Sequence, residues 1–200
     1  MNKPIDFYFD FSSPYGYIAS RRIDDIAERH GRAVTWRPYL MGAVFKINGR
    51  GPLPQQPLVG EYACRDFARS ARLYSVPFTM PERLPVSGVA PSRAYYWLYD
   101  QDPAKAKALA QALYSAFFVG SRDISDPETV AVVAEPFDIG RDTMLTALQD
   151  TAVKARLRQE TEAAIARGVF GSPYVIVDDE PFWGNDRLDH VDRWLRTGGW

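Results

Sequence analysis

Ser13 is the residue whose neighbours best equip it for chemistry. It closes the run Phe7-Tyr8-Phe9-Asp10-Phe11-Ser12-Ser13, and Pro14-Tyr15-Gly16-Tyr17 follows. Phe7, Phe9 and Phe11 alternate with Tyr8, Asp10 and Ser12, the period of a strand. Ser13 then takes the N-cap position of a helix, and Pro14 takes the first helical position, where its missing N–H costs nothing. Ile18, Ile23, Ile26 and Ala27 supply the apolar face of that helix as far as His30-Gly31. A hydroxyl delivered to a helix N-terminus stands beside unpaired N–H groups and the positive end of the helix dipole, a small anion site. From this stretch alone an ordinary role as a helix cap is the plainer reading of Ser13.

The far end of the chain carries a matching signal. Phe170-Gly171-Ser172-Pro173 is a turn that enters the apolar run Tyr174-Val175-Ile176-Val177. Proline at the mouth of a strand is positional, because it cannot sit inside a central ladder. In a thioredoxin-type fold such a proline is cis and faces the N-terminus of the first helix. The elements that follow suit that fold: a turn at Asp178-Asp179, a return strand from Glu180 to Trp183, and a closing helix from Asp186 to Arg196. Leu188, Val191, Trp194 and Leu195 form the buried stripe of that helix.

Together, Asp10 to Tyr17, the segment around Phe170 to Pro173, and Phe182-Trp183-Gly184-Asn185-Asp186-Arg187 resemble the 2-hydroxychromene-2-carboxylate isomerases. These are bacterial relatives of the kappa-class glutathione transferases with a DsbA-like fold. The resemblance runs from Asp6 to about Leu195. It implies a glutathione site formed by Ser13, Pro14, Tyr15, Arg50, Ser172, Pro173, Asn185 and Asp186, with Ser13 as the catalytic residue. Ser172 would offer its backbone N–H and C=O to the glutathione cysteine in a short β-like pairing. Asn185 and Asp186 occupy the family's positions for the γ-glutamyl end, and Asp186 can also serve as N-cap of the last helix. Two positions depart from the pattern. Arg50 follows Gly49 where the family usually has Asn, so a guanidinium could grip a glutathione carboxylate or be simply solvated. Ser12 replaces a usually apolar residue. Relatives are dimers, and a homodimer is expected here.

A thiol–disulfide oxidoreductase of this fold needs Cys-x-x-Cys at the start of the first helix. Those positions are Ser13-Pro14-Tyr15-Gly16, and the one cysteine, Cys64, lies far away in sequence. Disulfide exchange by the protein is therefore excluded, while binding of a thiol from outside is not. The single cysteine also rules out an internal disulfide. The formal net charge of −1 gives no global electrostatic case for nucleic acid or membrane, and the basic residues are dispersed. No apolar run approaches the roughly 20 residues that span a bilayer. Met1 to Asp6 lacks the apolar core of a signal peptide, so no cleavable leader is expected and the cytoplasm is the expected compartment.

These residues need an α/β frame. Val34 to Leu40 reads as a second strand, ended by Pro38 and parallel to the first through a right-handed crossover. Met41 to Pro57 is rich in Gly and Pro and reads as a long functional loop. From Leu58 to about Gly168 the period is helical. One helix carries Tyr62, Phe67, Leu73 and Tyr74, a second runs from Ser92 to Tyr99, and a third starts at Asp102-Pro103. Ser125-Asp126-Pro127-Glu128 reads as a capping box for a fourth, which stops before Pro136. Arg141 to Gln149 and Thr151 to Arg167 follow, with Gly168 suited to a C′ position. The expected fold is a thioredoxin-like (DsbA-like) α/β domain from residues 1–40 and 169–200, split by an all-helical insertion at 41–168.

Other chemistry-bearing residues have plainer readings. His30 suits a helix C-terminus and His190 a surface or interface position, and neither has a second metal ligand at useful spacing. Tyr95, Tyr96, Trp97 and Tyr99 suit core and interface packing. Tyr15, Phe45 and Trp183 could line an aromatic pocket or pack in the core. Three functions therefore stand. The first is a glutathione-dependent isomerase of a bicyclic aromatic hemiketal carboxylate. The second is a kappa-like glutathione transferase. The third is a non-catalytic thioredoxin-like binding module. Glutathione consumption separates the first two, and glutathione affinity separates both from the third.

Overall fold

The computed structural model describes residues 3–200. Its four-stranded sheet has the order β2-β1-β3-β4, from β1 (Ile5–Phe9), β2 (Val34–Pro38), β3 (Tyr174–Val177) and β4 (Glu180–Trp183). β1 runs parallel to β2 and antiparallel to β3, with Phe7 opposite Trp36 on one side and Val175 on the other. The alternation in β1 does not separate core from solvent. Phe7 and Phe9 are fully buried on one face and Tyr8 is nearly so on the other. The strand is central, and helices cover both of its faces.

One face carries an aromatic core. Phe7 and Phe9 stack at 5.2 Å, and Trp36 meets both edge-on. Tyr95 of α5 (Val89–Tyr99) and Tyr114 of α6 (Pro103–Phe118) close over Phe9. The buried hydroxyls of α5 are satisfied: Tyr95 donates to Trp36 O at 2.8 Å and Tyr96 to Pro38 O at 2.7 Å. This matches the plainer reading of the Tyr95–Tyr99 cluster. On the other face Tyr8, Tyr39, Tyr174 and Ile176 pack against Ala164 of α9 (Thr151–Ala166).

Between β2 and β3 every regular element is helical. α3 (Met41–Asn48) comes first, then α4 (Val59–Leu73), α5 and α6, then α7 (Pro127–Ala134), α8 (Arg141–Gln149) and α9. Among the described residues no helix is long and apolar enough to cross a membrane.

Several boundaries differ from those read in the sequence: α5 starts at Val89 rather than Ser92, β2 ends at Pro38 rather than Leu40, and four further differences have a visible cause. The first helix is two, α1 (Pro14–Ser20) and α2 (Ile23–Arg29), broken at Arg21-Arg22. No Gly or Pro marks the break. Arg22 is held there by long-range partners: its guanidinium lies 3.5 Å over the Tyr74 ring and donates to Asn185 and Asp189. Met41 to Pro57 is not all loop, because α3 occupies its first half and a 3₁₀ turn spans Leu53–Gln55. α3 is nucleated from outside itself: the Met41 N–H, in its open first turn, is satisfied by the buried Asp10 carboxylate at 2.9 Å. The cap of α7 is Asp126, not Ser125; its carboxylate accepts from the Glu128 and Thr129 N–H groups. The closing helix α10 (Leu188–Thr197) starts after a 3₁₀ turn over Asn185–Arg187. Asp186 caps neither; its carboxylate pairs with Arg187 at 2.8 Å.

Candidate active site

The end of β1 and the start of α1 meet the turn before β3. Ser13 is the N-cap of α1, and its Oγ accepts the Gly16 N–H at 3.0 Å. The same Oγ donates to the Ser172 carbonyl at 2.8 Å. The Ser172–Pro173 peptide is cis. Ser172 is tied back again, because its Oγ accepts the Asp10 N–H at 2.8 Å. Two serines far apart in sequence therefore hold each other on the wall of one cavity of ≈1510 Å³. A serine hydroxyl has one proton. Here the oxygen of Ser13 is fixed by Gly16, and its proton is held by Ser172.

Asp10 is the hub beneath this pair. It is 7% exposed, and its two carboxylate oxygens accept from Ser12 N–H at 2.8 Å and Met41 N–H at 2.9 Å. Burial pushes its carboxyl above the usual carboxylate range, against the pull of those two N–H groups. Its carbonyl accepts the buried Tyr114 hydroxyl at 3.0 Å. Gly16 fits beneath because it has no side chain: a Cβ there would stand 2.8 Å from Tyr114 Oη and 2.9 Å from Ser172 Oγ. Ser12 has its own structural use, since its Oγ accepts the Val86 N–H at 2.9 Å and anchors the segment that walls the cavity opposite α1. Asp10, Gly16 and Tyr114 escaped the sequence reading. An acid inside an apolar strand was the one available signal.

Tyr15 lines the cavity and points to α4, donating to Asp66 Oδ2 at 2.5 Å. Burial and then the bond to that carboxylate push the phenol pKa far up, so Tyr15 stays protonated. Burial of Asp66 is outweighed by the bonds from Tyr15 and Arg69, and its carboxyl lies below its usual value. Phe45 and Trp183 also line the cavity, with Phe170 edge-on to Trp183 at 4.9 Å. Pro14 lies in the wall as well, while Pro173 is turned to the 3₁₀ segment, its carbonyl accepting the Gly184 N–H at 3.1 Å.

That bond sets the third segment beside the first two. Asn185 is buried, and both its backbone carbonyl and its Oδ1 accept from Arg22 at 3.3 Å. Its amide nitrogen is left as the donor face. Asp186 is exposed at the cavity edge, and Gly184 at φ +114° leaves it room: a Cβ at 184 would stand 2.5 Å from Asp186 Oδ1. Arg50 follows the left-handed Gly49 at the end of α3 and is exposed on the same cavity. It forms no ion pair among the described residues. His30 sits at the end of α2 against Asp192 at 2.9 Å, and His190 lies edge-on to Trp200. Among the described residues no three His, Cys, Asp or Glu side chains group as a metal site.

The arrangement presents a fixed hydroxyl oxygen with a transferable proton, a backbone carbonyl beside it, amide and guanidinium donors further along, and an aromatic wall. The family model of the DSBA-like thioredoxin domain matches residues 4–196. The chain is 33% identical to a 2-hydroxychromene-2-carboxylate isomerase of Sphingobium xenophagum, over 98% of this chain and 99% of that one. It is 26% identical to glutathione S-transferase kappa 2 of Caenorhabditis elegans, over 96% and 92% of the two chains. Among solved structures, a selenomethionine 2-hydroxychromene-2-carboxylate isomerase superposes with a TM-score of 0.85 at 29% identity, covering 96% and 94%. The chain belongs to the DSBA-like thioredoxin domain family and, within it, to the 2-hydroxychromene-2-carboxylate isomerases.

Proposed function

We propose that this protein is a glutathione-dependent isomerase of 2-hydroxychromene-2-carboxylate or a closely related bicyclic aromatic hemiketal carboxylate. The observation that carries the reading is the Ser13–Ser172 pair at the mouth of α1, on a cavity with room for a tripeptide and an aromatic acid together. When bound, glutathione supplies a thiolate that adds to the substrate, lets the former double bond turn, and leaves unchanged.

The chain's own residues would do the rest. Ser172 would receive the cysteinyl N–H on its carbonyl, which frees the Ser13 proton to turn toward sulfur. Gly16 keeps the Ser13 oxygen still during that exchange. A thiol of pKa about 8.5 brought to about 6.5 needs about 2.7 kcal/mol of preference for the thiolate. A hydrogen bond to a charged group gives roughly 1.5–3 kcal/mol. α1 has only seven residues, so its dipole adds at the low end of roughly 0.3–1 kcal/mol. Ser13 therefore carries most of the ionisation, with no need to act as a covalent nucleophile. Asn185 would donate to the γ-glutamyl carboxylate, Asp186 would meet the γ-glutamyl ammonium, and Pro14, Tyr15 and Pro173 would shape the groove. The reading extends to a cytoplasmic homodimer, supported by the lone Cys64 and by the fully exposed Leu58 just before α4.

The deciding experiment follows 2-hydroxychromene-2-carboxylate with the enzyme at catalytic glutathione. The expected result is interconversion with its trans ring-opened isomer, dependent on glutathione and with the total thiol unchanged. No reaction, or reaction without glutathione, overturns the reading. The similarity to a kappa transferase favours one alternative, conjugation of electrophiles at the same site, and stoichiometric loss of thiol would establish it.

Arg50 tests the outer part of the site. Arg50→Ala should weaken glutathione binding at low salt, by an amount that shrinks as salt screens the charge. Calorimetric affinity that is equal for the two proteins at low ionic strength would show Arg50 to be merely solvated.

A further inference from the structure

A second cavity of ≈310 Å³ lies behind α3, against α5 and α9, and shares Leu40, Ala43 and Val89 with the wall of the large one. Its floor is apolar, with Leu157 and Ile165 of α9 beside those three. Its polar groups are an unusual set. Thr161 is 5% exposed, and its Oγ1 accepts the Leu40 N–H at 3.3 Å, which leaves its own proton to give. Arg93 reaches in from α5. One of its nitrogens donates to Leu148 O at 3.1 Å, Nε is buried with no acceptor, and no carboxylate pairs with it among the described residues. Burial lowers its pKa, the mark of a cation short of compensation. Among the described residues Lys154 bonds only the neutral Gln149 at 2.9 Å, and Arg158 is matched by Glu162 at 2.8 Å. The pocket therefore holds an excess of two positive charges, a spare buried hydroxyl donor and an apolar floor.

We propose that this pocket binds a small carboxylate with an apolar body, its carboxylate taken by Arg93, Thr161 and Lys154 and its body lying on Leu157 and Ile165. A bound carboxylate would compensate the Arg93 charge and fix Thr161, whose partner Leu40 precedes the Met41 N–H held by Asp10. The site thus bears on α3, a wall of the large cavity, without sharing its catalytic groups.

The test is calorimetric titration of 3-phenylpropanoate at low salt, with 3-phenylpropanamide as the uncharged control. The parent chain should bind the acid and not the amide. Thr161→Val, of nearly the same shape, and Arg93→Gln should each weaken binding roughly tenfold or more, as loss of a hydrogen bond to a charged group does. Ser13→Ala and Arg50→Ala, in the large cavity, should leave this binding unchanged. Lys154→Ala, at a half-exposed side chain that the fold does not depend on, should weaken it less. Absence of binding by the parent, equal binding of the amide, or loss in Arg50→Ala with no loss in Thr161→Val would each overturn the proposal.

Discussion

Ser13→Ala is expected to turn over roughly ten- to a hundredfold more slowly at pH 7, the effect of a one- to two-unit rise in the bound thiol's pKa. Part of the loss should return at alkaline pH, where the thiol ionises unaided. Folding should survive, since removing an N-cap costs about 1 kcal/mol out of the roughly 5–15 kcal/mol typical of a domain. Glutathione should still bind, because Ser172 and Asn185 remain, and the thiolate absorbance of the complex should disappear at neutral pH. The variant also frees the Ser172 carbonyl, which Ser13 occupies in the structure. Ground-state affinity should therefore hold or rise slightly while kcat falls, a split that a general disruption of the site would not produce. Activity abolished at every pH would instead indicate a covalent serine. Full activity at pH 7 would return Ser13 to a helix cap.

The largest effect on stability is expected from Asp10→Ala. Two partly buried N–H groups, of Ser12 and Met41, lose their acceptor, at up to about 1–3 kcal/mol each. For a chain of this size that corresponds to a fall in Tm of roughly 4–24 °C. Activity should fall by about a hundredfold or more, because a shift of about 1 Å in the Ser12–Ser13 backbone misaligns the hydroxyl. The pH dependence carries a sign. Burial raises the Asp10 pKa in the folded state, so the folded chain takes up that proton before the unfolded chain does. Stability from this group rises as pH falls through its folded value toward the unfolded value, and Asp10→Ala lacks that component. The carboxyls of Asp123, Asp178 and Asp192 have the opposite sign. Hydrogen bonds from Ser125, Arg32 and His30 in turn hold them low, and their contribution is lost as the solution turns acid. The difference between parent and variant, measured by denaturant titration between pH 7 and pH 4, isolates Asp10. It should widen as pH falls, and a flat difference would show that the carboxylate is not destabilised by its burial.

How far the site could be read from sequence follows from the range of each interaction. Ser13 and Pro14 were legible because capping is settled within four residues, and the strand at Tyr174 because Gly171 and Pro173 punctuate it. The three segments were brought together only by resemblance, since nothing local links Gly184 to Pro173. Asp10 hid because its partners are the N-terminus of a helix that Gly- and Pro-rich neighbours disguised as loop, and a tyrosine 104 residues away. The break at Arg22 was invisible for the same reason: what holds it is Tyr74, Asn185 and Asp189, none within reach of a helical window.

The position of β3 in the sheet also has a consequence in time. β1 is made first, yet its second edge stays open until Tyr174–Ile176 arrives to pair with Tyr8 and Asp6. At about 5–20 residues per second, the ribosome needs on the order of ten seconds or more to span the 159 residues between Ser13 and Ser172. Throughout that interval the nascent chain lacks β3, β4 and α10, and its central strand is paired on the β2 side alone, with half of the site on it. Activity, and protection of β1 from pairing with another chain, are therefore acquired in one late event, the docking of the last hairpin.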